Sequence, residues 1–236
     1  MGNFLKTTTI LVLTVILGLL SLIAFPLNVE IVRFWARLIL KVSGVKLKIS
    51  GVEKLNPGQP VIYIANHESA LDIPVALAAL PKSFCFMAKK ELFWIPVVGW
   101  VLFLGGHIRI DRQNPQKAFE MINRKAIKIV RKGHSILVSP EGTRSPDGKI
   151  GKFKRGGFRL SEKLDVPIVP VMLLGTRYCV AKKALKILPG IVEVTIDSPI
   201  RVSDFSELDR CIDSIRDRMI KRKLAFETQR MEKSDA

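Results

Sequence analysis

Val61-Ile62-Tyr63-Ile64-Ala65-Asn66-His67-Glu68-Ser69-Ala70-Leu71-Asp72 is the stretch on which the reading of this chain turns. Its first five residues are apolar and rich in β-branched and aromatic side chains, the pattern of a short buried strand. Polarity returns at Asn66-His67, and a helical run begins near Asp72. A histidine is thus delivered at a strand end, where open α/β sheets hold side chains rigidly at the edge of a crevice. From the first turn of the helix, Asp72 can fold back and hydrogen-bond one ring nitrogen of His67, which leaves the other as a proton acceptor. Alone the spacing is a weak signal, because a capping Asp beside an ordinary polar histidine is spelled the same way.

Outward from this stretch the chain alternates between two periodicities. Val45 to Ile49 alternates as a strand, and Asn56-Pro57-Gly58 is a turn before the histidine-bearing strand. Ser83 to Ala88 and the alternating Gly105 to Arg112 are further strands, and Asn114 to Lys132 is an amphipathic helix stopped by Gly133. Ser135 to Ser139 is a strand running into Pro140-Glu141-Gly142-Thr143-Arg144, and Val166 to Leu173 and Ile191 to Ile196 are two more. Asp204 to Phe226 reads as a helix, and 230–236 as a disordered tail. Strands alternating with helices predict an α/β domain over 46–229, with a mixed, mostly parallel sheet flanked by helices. Phe93 to Gly106 is apolar but broken by Pro96 and glycines; it is either a hydrophobic patch near the site or core.

The first 45 residues read differently. Thr7 to Phe25 carries no charge and as a helix would be about 28 Å long, close to a hydrocarbon core, so an N-terminal membrane-embedded segment is expected. Val29 to Val42 sets Ile31, Phe34, Trp35, Leu38 and Val42 against Arg33, Arg37 and Lys41, the layout of an interfacial helix facing the cytoplasm. The alternative for this helix is packing on the domain core. The whole chain of 236 residues has 38 basic and 21 acidic side chains, a net +17, and is 48% hydrophobic. That balance calls for a polyanionic partner, and the hydrophobicity favours anionic membrane lipids over nucleic acid. The three cysteines, Cys85, Cys179 and Cys211, are far apart and read as reduced thiols. No His/Cys/carboxylate spacing suggests a metal, no nucleotide-type glycine loop is present, and no cofactor is expected.

Four separated stretches together resemble the glycerolipid acyltransferase family, most closely the bacterial 1-acylglycerol-3-phosphate acyltransferases. They are Asn66-His67 with Asp72, Gly105 to Arg112, Pro140 to Arg144, and Val166-Pro167-Ile168-Val169-Pro170-Val171. They occur in family order across roughly residues 50 to 200, which is far more specific than any one block. Ser139 stands where the family has Phe, which bears on chain or acceptor preference more than on the reaction type. The resemblance implies transfer of an acyl group from an acyl carrier protein or coenzyme A thioester to lysophosphatidic acid, at the cytoplasmic face of the cell inner membrane.

Such a transfer needs a base for the hydroxyl proton, and His67 oriented by Asp72 fits it. Arg112 and Arg144 suit bidentate contact to a phosphate monoester, a role the resemblance gives to their two blocks. Glu141 is expected to accept from a glycerol hydroxyl or to orient an Arg, with Gly142 and Thr143 beside it bringing backbone close to the acceptor. Lys89, Lys154 and Arg155 are further anchors, each otherwise a solvated charge. Ser69 is the nearby candidate for a covalent route, and His107 and His134 are read as structural or exposed. Two rival readings are another lysolipid as acceptor, and a non-catalytic basic protein that binds anionic lipid.

Overall fold

The computed structural model describes residues 2–81, 83–111, 115–180 and 187–234. Strands β1 (Val45–Ser50), β2 (Ile62–Ala65), β3 (Phe84–Lys89), β4 (Ile108–Ile110), β5 (Ser135–Val138), β6 (Ile168–Leu174) and β7 (Gly190–Ile196) form one sheet in the order β1-β7-β6-β2-β5-β3-β4. Every described pairing is parallel except β6 with β7. The helices are α1 (Asn3–Ile23), α2 (Asn28–Ser43), α3 (Asp72–Ala79), α4 (Val98–Leu104), α5 (Pro115–Arg131), α6 (Gly156–Leu164), α7 (Thr176–Cys179) and α8 (Leu208–Ser234). This is the mixed, mostly parallel α/β sheet that the alternation of periods predicts.

The two-residue period of the strands divides the core into two. On β2, Tyr63 and Ala65 join Val169 and Val171 of β6 on the face covered by α2 and α3, with Ala36, Leu40, Val75 and Ala76. Ile62 and Ile64 point the other way, to Ile136, Ile168 and Met172 and to α5, α6 and α8, with Ile129, Phe158, Ile215 and Met219. A central strand buried on both faces has no polar face to show, which is why β2 spells a continuous apolar run. All three cysteines are buried free thiols.

The structure narrows two expectations and corrects one. α2 packs on α1 and the domain core with Ala36, Ile39, Leu40 and Ser43, as in the second of the two readings of this helix, while Phe34 stays exposed and Ile31, Trp35, Leu38 and Val42 are half-buried. Its amphipathic pattern records which stripe is apolar and not what covers the stripe. Residues 230–234, expected in a disordered tail, continue α8. Phe93 to Gly106 folds into the end of a short 3-10 turn and α4; it is mainly the hydrophobic patch of the two readings, with Trp94, Trp100 and Phe103 exposed, while Val97 and Leu102 reach the core.

α1 is 21 residues long and apolar enough to cross a membrane by length and composition. It packs on α2 and α4, where Gly18 lets Val97 approach so closely that a Cβ would sit 2.3 Å from Val97 Cγ1. Trp35 of α2 also donates from its indole to Thr14 Oγ1 at 3.0 Å. The opposite side of α1 exposes Leu11, Val12, Ile16, Leu19 and Ile23.

Candidate active site

Parallel neighbours bring the C-terminal ends of β2, β5 and β3 to one edge of the sheet, and the loops leaving β2 and β5 meet there. The β2 loop is shaped first by Asn66, 1% exposed, which continues the pairing of β2 with β6 through its side chain. Its Oδ1 accepts from Leu173 N–H at 2.8 Å and its Nδ2 donates to Leu173 O at 3.0 Å. The amide thus acts as one more rung of the ladder, and the following residue leaves the sheet from a fixed point.

That residue is His67. Its Nδ1 lies 2.7 Å from Asp72 Oδ2, and the same oxygen accepts the backbone N–H groups of Glu68 (2.7 Å) and Ser69 (2.9 Å). Three donors on one carboxylate oxygen, 3% exposed, fix the imidazole with Nδ1 protonated. Nε2 is then the acceptor nitrogen on a side chain that stays 27% accessible. The geometry is that of an oriented general base.

Ser69 is fully buried; its hydroxyl donates to Val180 O at 2.6 Å and accepts from Leu71 N–H at 3.2 Å. A hydroxyl held in this way tightens the turn and presents no nucleophile.

The β5 loop packs directly against the histidine. Ser145 N–H donates to His67 O at 2.8 Å, which puts the half-buried Arg144 one residue from a direct contact with the base. Glu141 does something other than the sequence suggests. Its Oε1 accepts His67 N–H at 3.3 Å and its Oε2 accepts Gly151 N–H at 2.9 Å, so the carboxylate clamps two loops together instead of waiting for a substrate hydroxyl. Gly142 has φ +74, and a Cβ there would meet Lys154 Nζ at 2.7 Å, so the ammonium of Lys154 lies over the glycine. Thr143 is exposed on the same turn.

The remaining expected residues divide. Lys89 closes β3 on the same edge of the sheet but pairs with Glu91 at 3.4 Å, both half-exposed. Arg155 turns to Asp209 of α8 at 3.2 Å. Arg112 lies outside the described residues. His107 is buried, its Nδ1 accepts Phe86 N–H at 3.2 Å, and burial with the nearby Lys125 charge pushes its pKa down to about 4. It is a structural, neutral imidazole. His134 bonds Ser83 Oγ through Nδ1 at 2.7 Å.

A buried ion pair beneath the histidine is absent from any motif. Glu68, 2% exposed, receives Asn66 Nδ2 at 3.0 Å and an ion pair from Lys223 of α8, itself 7% exposed. Burial raises the Glu68 pKa, and the bond from Lys223 opposes the rise. Lys223 also lies 3.7 Å from Glu227, which accepts the Tyr178 hydroxyl, and Arg230 stacks 3.7 Å over the Tyr178 ring. No sequence signal singled out Glu68 among the polar residues of its motif, and its partner lies 155 residues away.

An apolar cavity of about 200 Å³ lies between α1, α2, α4 and the start of α3. Ile73, next to Asp72, forms part of its wall, with Trp35, Phe86 and Leu102. Oriented base, basic loop and apolar room therefore stand side by side.

Comparison with known proteins places this arrangement in context. Residues 46–174 match the family described as Acyltransferase. A Cocos nucifera protein named 1-acyl-sn-glycerol-3-phosphate acyltransferase is 34% identical over 206 residues, covering 84% of this chain and 66% of its own. A Homo sapiens protein, the alpha form of an enzyme of the same name, is 31% identical over 173 residues, covering 73% of this chain and 61% of its own. The chain thus spans a little under two thirds of these curated relatives. The crystal structure of the 1-acyl-sn-glycerophosphate acyltransferase from Thermotoga maritima shares the fold, with a TM-score of 0.75 at 24% identity over 95% of this chain and 98% of that one.

Proposed function

This chain belongs to the acyltransferase family, and from that membership we propose that it esterifies the free hydroxyl of 1-acylglycerol-3-phosphate from an acyl thioester, giving phosphatidic acid. The observation that carries the reading is His67 held by an Asp72 oxygen that is itself fixed by two backbone amides. His67 Nε2 takes the acceptor's hydroxyl proton as the oxygen attacks the thioester carbonyl. The tetrahedral intermediate collapses with cleavage of the C–S bond, and the imidazolium returns its proton to the departing thiolate. Asp72 holds the tautomer and stabilises the imidazolium between the two steps. The substrate's alcohol is the nucleophile, which agrees with a Ser69 hydroxyl committed to Val180 O.

Arg144 and Arg112 are the guanidinium groups proposed to hold the phosphate monoester, and Lys154, whose ammonium lies over Gly142, is a further cation for it. Glu141 keeps the loop that carries Arg144 against His67. The acyl carrier protein or coenzyme A thioester is the proposed donor, and the apolar cavity beside Ile73 gives an acyl chain a place out of water. Membrane attachment through α1, at the cytoplasmic face of the inner membrane, keeps the site where lysolipid is dissolved.

The test is a labelled thioester incubated in membranes with a panel of lysolipids. Thiol release should depend on added acceptor and be greatest with lysophosphatidate. Preference for a lysolipid lacking the phosphate monoester would move the acceptor to another class and remove Arg112 and Arg144 from the proposed role. Release that ignores the acceptor would overturn the transfer reading itself.

A further inference from the structure

A second cavity, of about 410 Å³, opens at the other end of the sheet from His67. Ser83 and Phe84 at the start of β3 and His134 just before β5 line it, whereas His67 leaves the C-terminal end of β2. Because these strands run parallel, the two sites are separated by at least a strand length, about 13 Å for four residues. The cavity walls are mostly apolar. Val29 and Val32 come from α2, Val101 and Leu104 from α4, and Phe25 from the junction where α1 hands over to α2.

Four cations also line the cavity: Arg33 of α2, Lys125 and Lys128 of α5, and Lys132 just past its end. None of the 19 lining residues is a carboxylate. Among the described residues, no acidic side chain lies within ion-pair distance of any of the four cations. Lys125 donates to His107 O at 2.6 Å and Arg33 donates to Leu80 O at 2.8 Å, so two of the four are held in place without being neutralised. Lys128 near the C-terminus of α5 is ordinary compensation of the helix dipole. That account does not reach Arg33 on another helix, nor Lys125 nearly two turns back, whose pKa burial already holds down.

We infer that this cavity is a binding site for an anionic glycerophospholipid of the bilayer, separate from the acyl-transfer site. Two features fix the occupant. The uncompensated cations call for a phosphate. The apolar walls, continuous through Phe25 with the exposed face of α1, call for acyl chain, which enters along that face. An ion without a chain would leave the walls wet, and a neutral lipid would leave the half-buried Arg33 and Lys125 without an anion, with the exposed Lys128 and Lys132 at the rim.

The site is tested on the full-length chain in neutral detergent by native mass spectrometry, titrating phosphatidylglycerol, phosphatidylcholine and chain-free sn-glycerol 3-phosphate. One phosphatidylglycerol should bind per chain, at least tenfold more tightly than phosphatidylcholine, and chain-free glycerol phosphate should not displace it. Lys128→Gln with Lys132→Gln should weaken phosphatidylglycerol at least tenfold. Val29→Glu, at an exposed lining position that carries no catalytic role, should do the same. Lys163→Gln with Lys221→Gln removes equal charge from exposed positions elsewhere and should change nothing. Equal loss in that control would show delocalised attraction in place of a site, and displacement by glycerol phosphate would show a phosphate pocket in place of a lipid one; either result sinks the proposal. His67→Ala should bind phosphatidylglycerol as the parent does, so the result is read independently of turnover. Loss of binding with His67 would put the lipid in the acyl-transfer site and overturn the inference.

Discussion

The edge of the sheet around His67 and the outer face of α1 and α4 break the ordinary pattern of a folded protein in opposite directions. Around His67, groups that belong in water are buried: Asp72, Glu68 and Lys223 are 3%, 2% and 7% exposed. On α4 and the turn before it, groups that belong in the core are exposed: Trp94 is 73% and Phe103 72% accessible. A buried polar group is tolerable only with partners, and a large exposed apolar patch only with a second apolar phase. The first region therefore carries its partners inside the chain. The second has to obtain them from outside, and lipid is the partner proposed for it. Each exception marks a function because each would cost stability in a protein that did not use it.

The sharpest break of that comparison is at the base. His67→Ala should lower acyl transfer by about 10³- to 10⁴-fold, since it removes the proton acceptor and leaves the fold. Asp72→Asn should cost somewhat less, by removing orientation and charge but not the base. Turnover of a labelled thioester, with circular dichroism to show that both variants fold, checks this. Near-normal turnover in His67→Ala would falsify the mechanism.

Next is the ion pair beneath the base. Lys223→Met leaves the Glu68 carboxylate buried without its cation, a loss of about 3–5 kcal/mol. The pH dependence carries a sign. Burial raises the Glu68 pKa above its ordinary 4.5, and removing Lys223 removes the main opposing pull. Stability linked to a raised acid is full below 4.5 and is lost as pH rises through the folded value. The Lys223→Met deficit should therefore grow from pH 4.5 upward, while Lys223→Met with Glu68→Gln should regain most of the stability and lose the pH slope. Thermal melts at pH 5 and pH 8 decide it; a deficit independent of pH would mean that the loss is packing by the lysine stem.

The exposed region is sharpened by salt. Apolar burial of α1 contributes about 0.8 kcal/mol per methylene and does not depend on ionic strength. Each basic residue near an anionic surface adds roughly 1 kcal/mol, and that part is screened. At 1 M salt about nine tenths of the protein should stay with the membrane fraction. In Trp35→Phe, Trp94 and Trp100 should be quenched by brominated acyl chains to about half or below. Unquenched tryptophans would leave α4 in water and give the exposed patch another partner.

What the sequence shows of this molecule follows from which interactions have a period. Strands β2 and β6 are spelled by unbroken apolar runs because both faces are buried, and the His67–Asp72 contact is local enough for spacing to reveal it. The covering of α2 was not legible, since an apolar stripe looks the same against lipid and against Val45 and Val75. Glu68 with Lys223 was not legible either, because a contact across 155 residues has no period at all. For Glu141 the sequence left two roles open, a bond to the acceptor or the orienting of an Arg, and only the fold shows two backbone amides converging on its carboxylate.

The smallest expected effect tests the chemical route. Ser69 is two residues from the base, and by position alone it is where a covalent mechanism would put its nucleophile. Yet its Oγ donates to Val180 O at 2.6 Å, is sealed from solvent, and accepts Leu71 N–H. Attack on a thioester would require breaking the bond to Val180 and exposing a fully buried group, with His67 already aimed elsewhere through its bond to Asp72. Ser69→Ala should therefore cost about 1 kcal/mol of stability for the lost hydrogen bond. Turnover should stay within a few-fold of the parent, because the turn is still held by the amides on Asp72. An acid-quenched reaction should carry no acyl label on the protein. A Ser69→Ala loss as deep as that of His67→Ala, with label trapped on the parent, would make the serine the nucleophile and the histidine its activator.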